Sequence, residues 1–106
     1  MFFRFIRHYR SLKQDKKEIG DLFDLLKKHG CEVICFEYNR KAFGDLVLKF
    51  IIDGQELLFS TDRGDIYYNN IYICGRHYMR TEKKTIVKKV TELVKLKIIS
   101  IKNGDA

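Results

Sequence analysis

The sequence contains no proline and only seven glycines in 106 residues. Proline-rich and glycine-rich segments form linkers and low-complexity tails, so this composition indicates a chain that is folded nearly from end to end. Long apolar runs are also missing, since none approaches the roughly 20 residues that a membrane-spanning helix needs. Charged residues interrupt the segment from Met1 to Arg7 before the apolar region of a secretory signal could form. We therefore expect a protein with no transmembrane segment and no signal peptide.

Cysteine is scarce and odd in number, with only Cys31, Cys35 and Cys74. An odd set of scattered cysteines does not suit a disulfide framework and is more typical of a reducing compartment. Together with the missing signal peptide, this indicates a cytoplasmic protein. Cys31 and Cys35 would lie about 13 Å apart along one strand, which is too far to share a zinc ion. We expect neither a metal site nor a cofactor.

What the sequence does have is an uneven distribution of charge. Residues 1–30 carry a net charge of +4, residues 31–75 carry −3 and residues 76–106 carry +6, which gives +7 for the whole chain. Such segregation decides which charged partners a small protein can approach. Two classes of partner stay open: nucleic acid at the basic ends, and a protein at the acidic middle. The acidic residues of that middle segment are Glu32, Glu37, Asp45, Asp53, Glu56, Asp62 and Asp65.

The first third of the chain has helical periodicity. Its first apolar side chains fall on one side of a helical wheel: Phe2, Phe3, Phe5, Ile6 and Tyr9. A second helix is predicted to begin at Ser11 or Asp15, because both have capping-box spacing. Lys27 and Lys28 supply cations for its last turn, and Gly30 supplies a left-handed terminator. This helix should therefore end just before Gly30.

Residues 31–74 switch to runs that are rich in β-branched and aromatic side chains. The predicted strands run from Cys31 to Tyr38, Phe43 to Ile52, Gln55 to Thr61 and Ile66 to Cys74. Asp53 and Gly54 predict a tight hairpin, because a type I′ turn needs positive φ at both central residues. Strand alternation places four apolar side chains on one face, which we expect to be buried: Leu46, Leu48, Phe50 and Ile52.

The last third predicts a C-terminal helix, with Thr81 as its N-cap and Glu82 in its first turn. Its apolar stripe consists of Ile86, Val87, Val90, Leu93 and Val94. The tail from Ile98 to Ile101 either continues this helix or forms a short strand. We therefore predict a single α+β domain over residues 1–106. It has an N-terminal helix or helix pair, a three- to four-stranded antiparallel β-meander and a C-terminal helix packed on the sheet.

Catalytic motifs are missing. Any cysteine could pair with His8, His29 or His77, but no flanking signature supports a nucleophile. Asp62 and Asp65 could form an acid–base pair, yet they lie in a tight turn, where aspartate is expected for local hydrogen bonds. No glycine-rich loop opens a helix, so the sequence shows no phosphate cradle. These observations favour a non-catalytic protein.

The most distinctive short segment is residues 61–65, Thr-Asp-Arg-Gly-Asp. A β-turn with aspartate at its start and glycine supplying positive φ explains it structurally. The functional alternative is an exposed polar tip that binds a partner. On that alternative, the predicted protein-binding surface consists of Asp62, Arg63, Asp65, Tyr67, Tyr68 and Glu56.

Nucleic-acid binding is the second hypothesis, because the chain is basic and its ends could contact phosphates. The residues predicted for this role are Arg4, Arg7, Arg10, Lys83, Lys84 and Lys88. Lysines along an amphipathic helix also form an ordinary solvated face, so the pattern alone does not decide between the two interpretations.

In size and in its order of helix, meander and helix, the chain resembles small bacterial immunity proteins, which neutralise delivered toxins. The resemblance lies in the general pattern and assigns no residue roles. It implies a non-catalytic cytoplasmic protein with a toxin as its protein partner. The positive net charge departs from immunity proteins against nucleases, which are often acidic, although the acidic middle could supply a complementary patch. The aromatic N-terminal stretch could cover either the less polar face of the sheet or a partner subunit, so a homodimer is also possible.

Overall fold

The computed structural model describes residues 12–104. In chain order its elements are α1 (Leu12–Lys28), β1 (Glu32–Asn39), β2 (Asp45–Ile52), β3 (Gln55–Asp62), β4 (Asp65–Tyr68), β5 (Ile71–Cys74), the short helix α2 (Tyr78–Thr81) and α3 (Ile86–Lys102). This order confirms the predicted α+β class. The helix predicted over Phe2 to Tyr9 lies outside the described residues. Among residues 12–104, no helix has the length and hydropathy that crossing a membrane requires.

The five strands form one antiparallel sheet in the order β1-β2-β3-β4-β5. The connections from β2 to β5 are three two-residue turns, and in each of them both central residues have positive φ. Positive φ at both positions is the signature of a type I′ turn, whose twist matches that of the flanking strands. Asp53 and Gly54, with φ of 50° and 77°, form the first of these turns. The hairpin predicted there is confirmed.

The sequence predicts three or four strands, and the structure has five. The difference lies in the run from Ile66 to Cys74, which is predicted as one strand. Asn69 and Asn70 have φ of 50° and 67°, so the chain reverses direction at that point. Asparagine tolerates this left-handed region better than most residues. Asn69 also ties the turn to β3, because its Oδ1 accepts a hydrogen bond from the Leu58 amide at 3.1 Å.

The core lies between the sheet and the two long helices. The β2 residues predicted to be buried are at most 2% exposed: Leu46, Leu48, Phe50 and Ile52. The helices contribute Leu22 and Leu26 from α1 and Val90, Val94 and Ile98 from α3. Phe23 on α1 meets Phe36 on β1 edge to face, with ring centroids 5.0 Å apart. Removing these side chains from water is the main source of stability for such a layered fold.

The two helix boundaries differ in how well the sequence predicts them. α1 ends at Lys28, and Gly30 has φ of 71°, as predicted. The predicted start of α3 is wrong, because Thr81 ends α2 and the N-cap is Thr85. The Thr85 hydroxyl accepts a hydrogen bond from the Lys88 amide at 3.2 Å. It also donates one to Glu18 on α1 at 2.7 Å, so a distant contact selects this threonine as the cap.

Candidate functional site

The turn between β3 and β4, which forms the predicted polar tip, is held in place by Asp45. The Asp45 carboxylate accepts hydrogen bonds from Thr61 Oγ1 at 2.7 Å, from the Arg63 amide at 2.7 Å and from the Gly64 amide at 3.1 Å. The Thr61 hydroxyl in turn accepts one from the Leu46 amide at 3.0 Å. Because one carboxylate satisfies two turn amides, this network explains the conformation of the turn.

Two further contacts support the same turn from α2 and the segment before it. Arg76 donates to the Asp65 carboxylate through its amide at 2.9 Å and through Nε and Nη2 at 3.3 and 3.0 Å. These bonds to Arg76 lower the pKa of Asp65. The buried Tyr78 hydroxyl donates to the Gly64 carbonyl at 2.6 Å. Burial raises the pKa of Tyr78, which keeps the hydroxyl protonated and able to donate.

The structure does not bring the six predicted protein-binding residues together. Asp62 and Arg63 have exposed side chains at the tip, whereas Asp65 is engaged by Arg76. Tyr67 and Tyr68 are consecutive on β4 and therefore point to opposite faces of the sheet. Glu56 lies about 20 Å from Asp62 along β3 at the usual strand rise.

Tyr68 lies on the face of the sheet that the helices cover. Its ring contacts Phe59, with centroids 5.1 Å apart, and Lys97 Nζ on α3 lies 4.7 Å from its centroid. Tyr67 lies on the opposite face, where it meets Tyr72 of β5 edge to face at 5.8 Å. The two tyrosines therefore belong to different surfaces.

We call the surface opposite the core the open face. In the described part of the chain, the buried helix residues join the core on the other side of the sheet, and no helix covers this one. The pairing register places three successive rows of side chains on the open face, and the pair Asn39 and Asp45 follows them at one end. These rows are Glu32, Ile51 and Glu56, then Cys35, Lys49 and Leu58, then Glu37, Val47, Ser60, Tyr67 and Tyr72.

The open face carries apolar side chains on β2 to β5, glutamates on β1 and beside the β2–β3 turn, and Lys49 in its middle row. Its apolar side chains are half-buried, apart from the exposed Tyr72: Val47, Ile51, Leu58, Tyr67 and Tyr72. The three glutamates are exposed: Glu32, Glu37 and Glu56. The only basic side chain among these rows is Lys49, whose Nζ lies 3.9 Å from Glu56. The face therefore carries an excess of negative charge beside accessible apolar area.

The sequence predicts part of the open face. Alternation along β2 indicates that Val47, Lys49 and Ile51 point away from the core, and the acidic middle segment includes the three glutamates. Cross-strand neighbours depend on the register, and β1 has an irregularity between Val33 and Cys35 that the sequence does not reveal. That Leu58 and Tyr67 belong to this surface follows only from the pairing of the strands.

The residues predicted for nucleic-acid binding are also divided. Arg4, Arg7 and Arg10 lie outside the described residues. Lys83 and Lys88 are exposed. Lys84 belongs to a cluster in which two lysines and two glutamates make four contacts of 2.8–3.3 Å: Glu82, Lys84, Lys89 and Glu92. In this cluster, carboxylates offset the charge of Lys84 and Lys89.

This Lys–Glu cluster predicts a pH dependence of stability. Hydrogen bonds from Lys89 and Lys84 lower the pKa of Glu82, and those from Lys84 and Lys89 lower the pKa of Glu92. Carboxylates with lowered pKa stabilise the fold above their ordinary value of 4.5, and this contribution is lost as the pH falls through the lowered pKa. We expect the Glu82→Gln/Glu92→Gln variant to lose less stability than the native chain between about pH 6 and about pH 3.

Urea unfolding at each pH measures this difference in slope. Glu32→Gln makes the same chemical change outside the cluster and serves as the control. Identical losses of stability on acidification in the double variant and the native chain would contradict the assigned role of the cluster.

Two shallow depressions lie on the described surface. One of about 280 Å³ is lined by Phe59, Tyr68, Ile73, Leu93, Leu96, Lys97 and Ser100. The other, of about 360 Å³, is lined by Glu37, Tyr38, Asn39, Ala42, Asp45, Leu46, Val47 and Thr61. Neither lining includes a histidine or a cysteine.

The cysteines are free and half-buried. Burial raises the pKa of Cys31 and of Cys74, which favours the unreactive thiol at neutral pH. Within residues 12–104, no three His, Cys, Asp or Glu side chains converge as metal ligands.

Comparisons with protein-family models, with curated protein sequences and with solved structures found no significant match. The surfaces of the molecule are therefore the basis for a functional proposal. Among them, the open face combines accessible apolar side chains with charge of one predominant sign.

Proposed function

We propose that the protein is a non-catalytic protein-binding module, and that its open face binds a protein surface with an apolar patch and a basic border. The observation that carries this proposal is the composition of the open face, which combines accessible apolar side chains on β2 to β5 with three exposed glutamates. Accessible apolar side chains mixed with polar ones are the usual composition of a protein interface.

The glutamates of the open face define the chemistry of the partner. Lys49 lies near Glu56, so its charge is partly offset, and Glu32 and Glu37 add two further carboxylates. A basic partner surface would complement this arrangement, which would raise the rate of encounter and the specificity more than the final affinity. More specifically, we propose that the partner is a basic toxin, which this protein neutralises as immunity proteins do. We also propose a cytoplasmic location, which the three free cysteines support.

Nucleic-acid binding by the basic helices has less support. Phosphates would have to compete with Glu82 and Glu92 for Lys84, and the sheet surface that bears Tyr67 and Tyr72 is bordered by carboxylates, which repel phosphates. Lys83 and Lys88 stay available as exposed cations. Filter binding with RNA and DNA at two salt concentrations tests this alternative. Strong retention at low salt that falls steeply with added salt would favour it over protein binding.

Site-specific photocrosslinking in cells tests the protein-binding proposal. A photoreactive amino acid at Leu58, in the middle of the open face, is expected to yield one discrete crosslinked protein. The control is the same amino acid at Lys95, an exposed position on α3, where no such product is expected. Introducing Glu37→Lys in addition should reduce the yield from Leu58, because it places a like charge opposite the basic partner. Equal products at Leu58 and Lys95 would contradict the proposal.

A further inference from the structure

β5 forms one edge of the sheet, and its side chains are unusually accessible. Ile71 is 67% exposed, Tyr72 57% and Ile73 45%. Within residues 12–104 no strand pairs with the outer side of β5. The strand Ile71–Cys74 also contains no charged residue. Exposed, uncharged edge strands of this kind are templates for pairing with another chain.

The opposite edge of the sheet differs in charge, which discourages such pairing. β1 carries the exposed residues Glu32, Glu37 and Asn39. The register is irregular at both edges, between Val33 and Cys35 on β1 and next to Ile73 on β5, so the charged side chains are what distinguishes them. Charged side chains are one device by which edge strands avoid pairing with other chains. The contrast singles out β5 as the edge that is chemically able to pair.

The backbone of β5 is oriented for pairing at Tyr72. Tyr68 and Ile71 flank the two-residue turn at Asn69 and Asn70 and are register partners. In a two-residue hairpin, the flanking pair exchanges both of its backbone hydrogen bonds. The amide and carbonyl of the next residue, Tyr72, therefore point away from β4, towards the outer edge.

The apolar area of β5 continues onto α3. Ile73 lines a shallow depression with Leu93 and Leu96. Leu96 is 58% exposed. The strand edge and this part of the helix surface thus form one apolar strip.

We propose that β5 pairs antiparallel with β5 of a second copy of this chain, across a two-fold axis at Tyr72. Opposed residues of an antiparallel pair point to the same face of the sheet, and this register satisfies that requirement. Tyr72 lies opposite Tyr72 of the second copy on the open face, and Ile71 lies opposite Ile73 of the second copy on the helix side. The two five-stranded sheets would become one continuous sheet, with Leu96 of the two α3 helices flanking the joint.

A second copy fits this edge for two reasons. The strip is neutral along the strand, so a two-fold arrangement brings no like charges of β5 together, and isologous pairs are the commonest form of oligomer. The four exposed apolar residues of this strip, at about 200 Å² for a fully exposed large side chain, offer about 450 Å² per copy. The resulting total of about 900 Å² is in the range of weak, reversible interfaces. We expect a reversible dimer with a dissociation constant in the micromolar range.

The dimer does not depend on the proposed function, because the open face stays accessible on both copies. Sedimentation equilibrium at about 100 µM protein, a concentration above the expected dissociation constant, should show a dimer for the native chain. Tyr72→Lys and Tyr72→Glu place like charges opposite each other at the axis, so each variant alone should dimerise at least about tenfold more weakly. Mixing the two variants should restore a heterodimer, because the charges then attract.

Ile34→Lys is the control, since it adds the same charge to an exposed apolar position on the opposite edge. It should leave the dimer unchanged. Restoration by mixing also shows that both Tyr72 variants are folded. A monomeric native chain, an undiminished Tyr72→Lys dimer or a mixture that stays monomeric would each overturn the proposal.

Discussion

Tyr78→Ala is expected to lower the free energy of unfolding by about 4 kcal/mol. Tyr78 is completely buried, so truncation leaves a cavity where its ring stood. It also removes the hydroxyl that donates to the Gly64 carbonyl at 2.6 Å, which leaves a buried acceptor without this partner. Since small domains are stable by only about 5–15 kcal/mol, this single change removes a large share of the total.

Urea unfolding followed by circular dichroism measures this loss, and Tyr78→Phe separates its two causes. The phenylalanine keeps the ring and should cost about 2 kcal/mol, the typical effect of leaving a buried carbonyl unsatisfied. Tyr72→Phe makes the same chemical change on the exposed edge and should be nearly neutral. Equal stability of Tyr78→Phe and the native chain would show that the hydroxyl does not support the turn.

Gly64→Ala is expected to lower the free energy of unfolding by about 3 kcal/mol. Gly64 has φ of 94°, a conformation that residues with a Cβ adopt only at a cost. An added Cβ would also lie 3.1 Å from Arg76 Cβ and 3.2 Å from Met79 Cε. Relieving these contacts would move the turn relative to Asp45 and Tyr78, which hold it.

Gly54→Ala is the matched control for this prediction. Gly54 also has positive φ, 77°, but an added Cβ there would meet nothing within 4 Å. Gly54→Ala should therefore lower the free energy of unfolding only by the cost of placing alanine at positive φ, about 1 kcal/mol. Equal losses for the two alanine variants, measured by the same urea titration, would mean that crowding at Gly64 is unimportant.

These two positions show that the turn between β3 and β4 is part of the folded framework. Asp45, Arg76 and Tyr78 hold it from three directions. Within the predicted tip, this leaves Asp62 and Arg63 as exposed side chains, which pair with each other at 3.3 Å. A role for the tip in binding therefore rests on these two side chains, at the end of the open face.

Local patterns predicted those parts of the fold that local interactions determine. The end of α1 before Gly30 and the hairpin at Asp53 and Gly54 depend on the conformational freedom of single residues, which the sequence displays directly. The buried face of β2 follows from simple alternation. In each case the residues that determine the element lie within a few positions of it.

The misjudged features depend on distant contacts. Thr81 and Thr85 are both good N-cap residues, and the hydrogen bond between Thr85 and Glu18 distinguishes them only in the folded chain. Asn69 and Asn70 lie in an uncharged aromatic run that resembles one strand, and the turn becomes clear from the bond between Asn69 and β3. The open face likewise requires the register of all five strands, whereas its acidic character is visible in the sequence.

The most direct test of the central claim is the affinity of the open face for the protein that Leu58 crosslinks. Isothermal titration calorimetry with that purified partner should show binding about 30-fold weaker for Leu58→Arg, as expected when a charge replaces an apolar side chain in the middle of an interface. Lys95→Glu, on the helix side, should bind as the native chain does. Undiminished affinity of a folded Leu58→Arg variant would contradict the assignment of the open face as the binding surface.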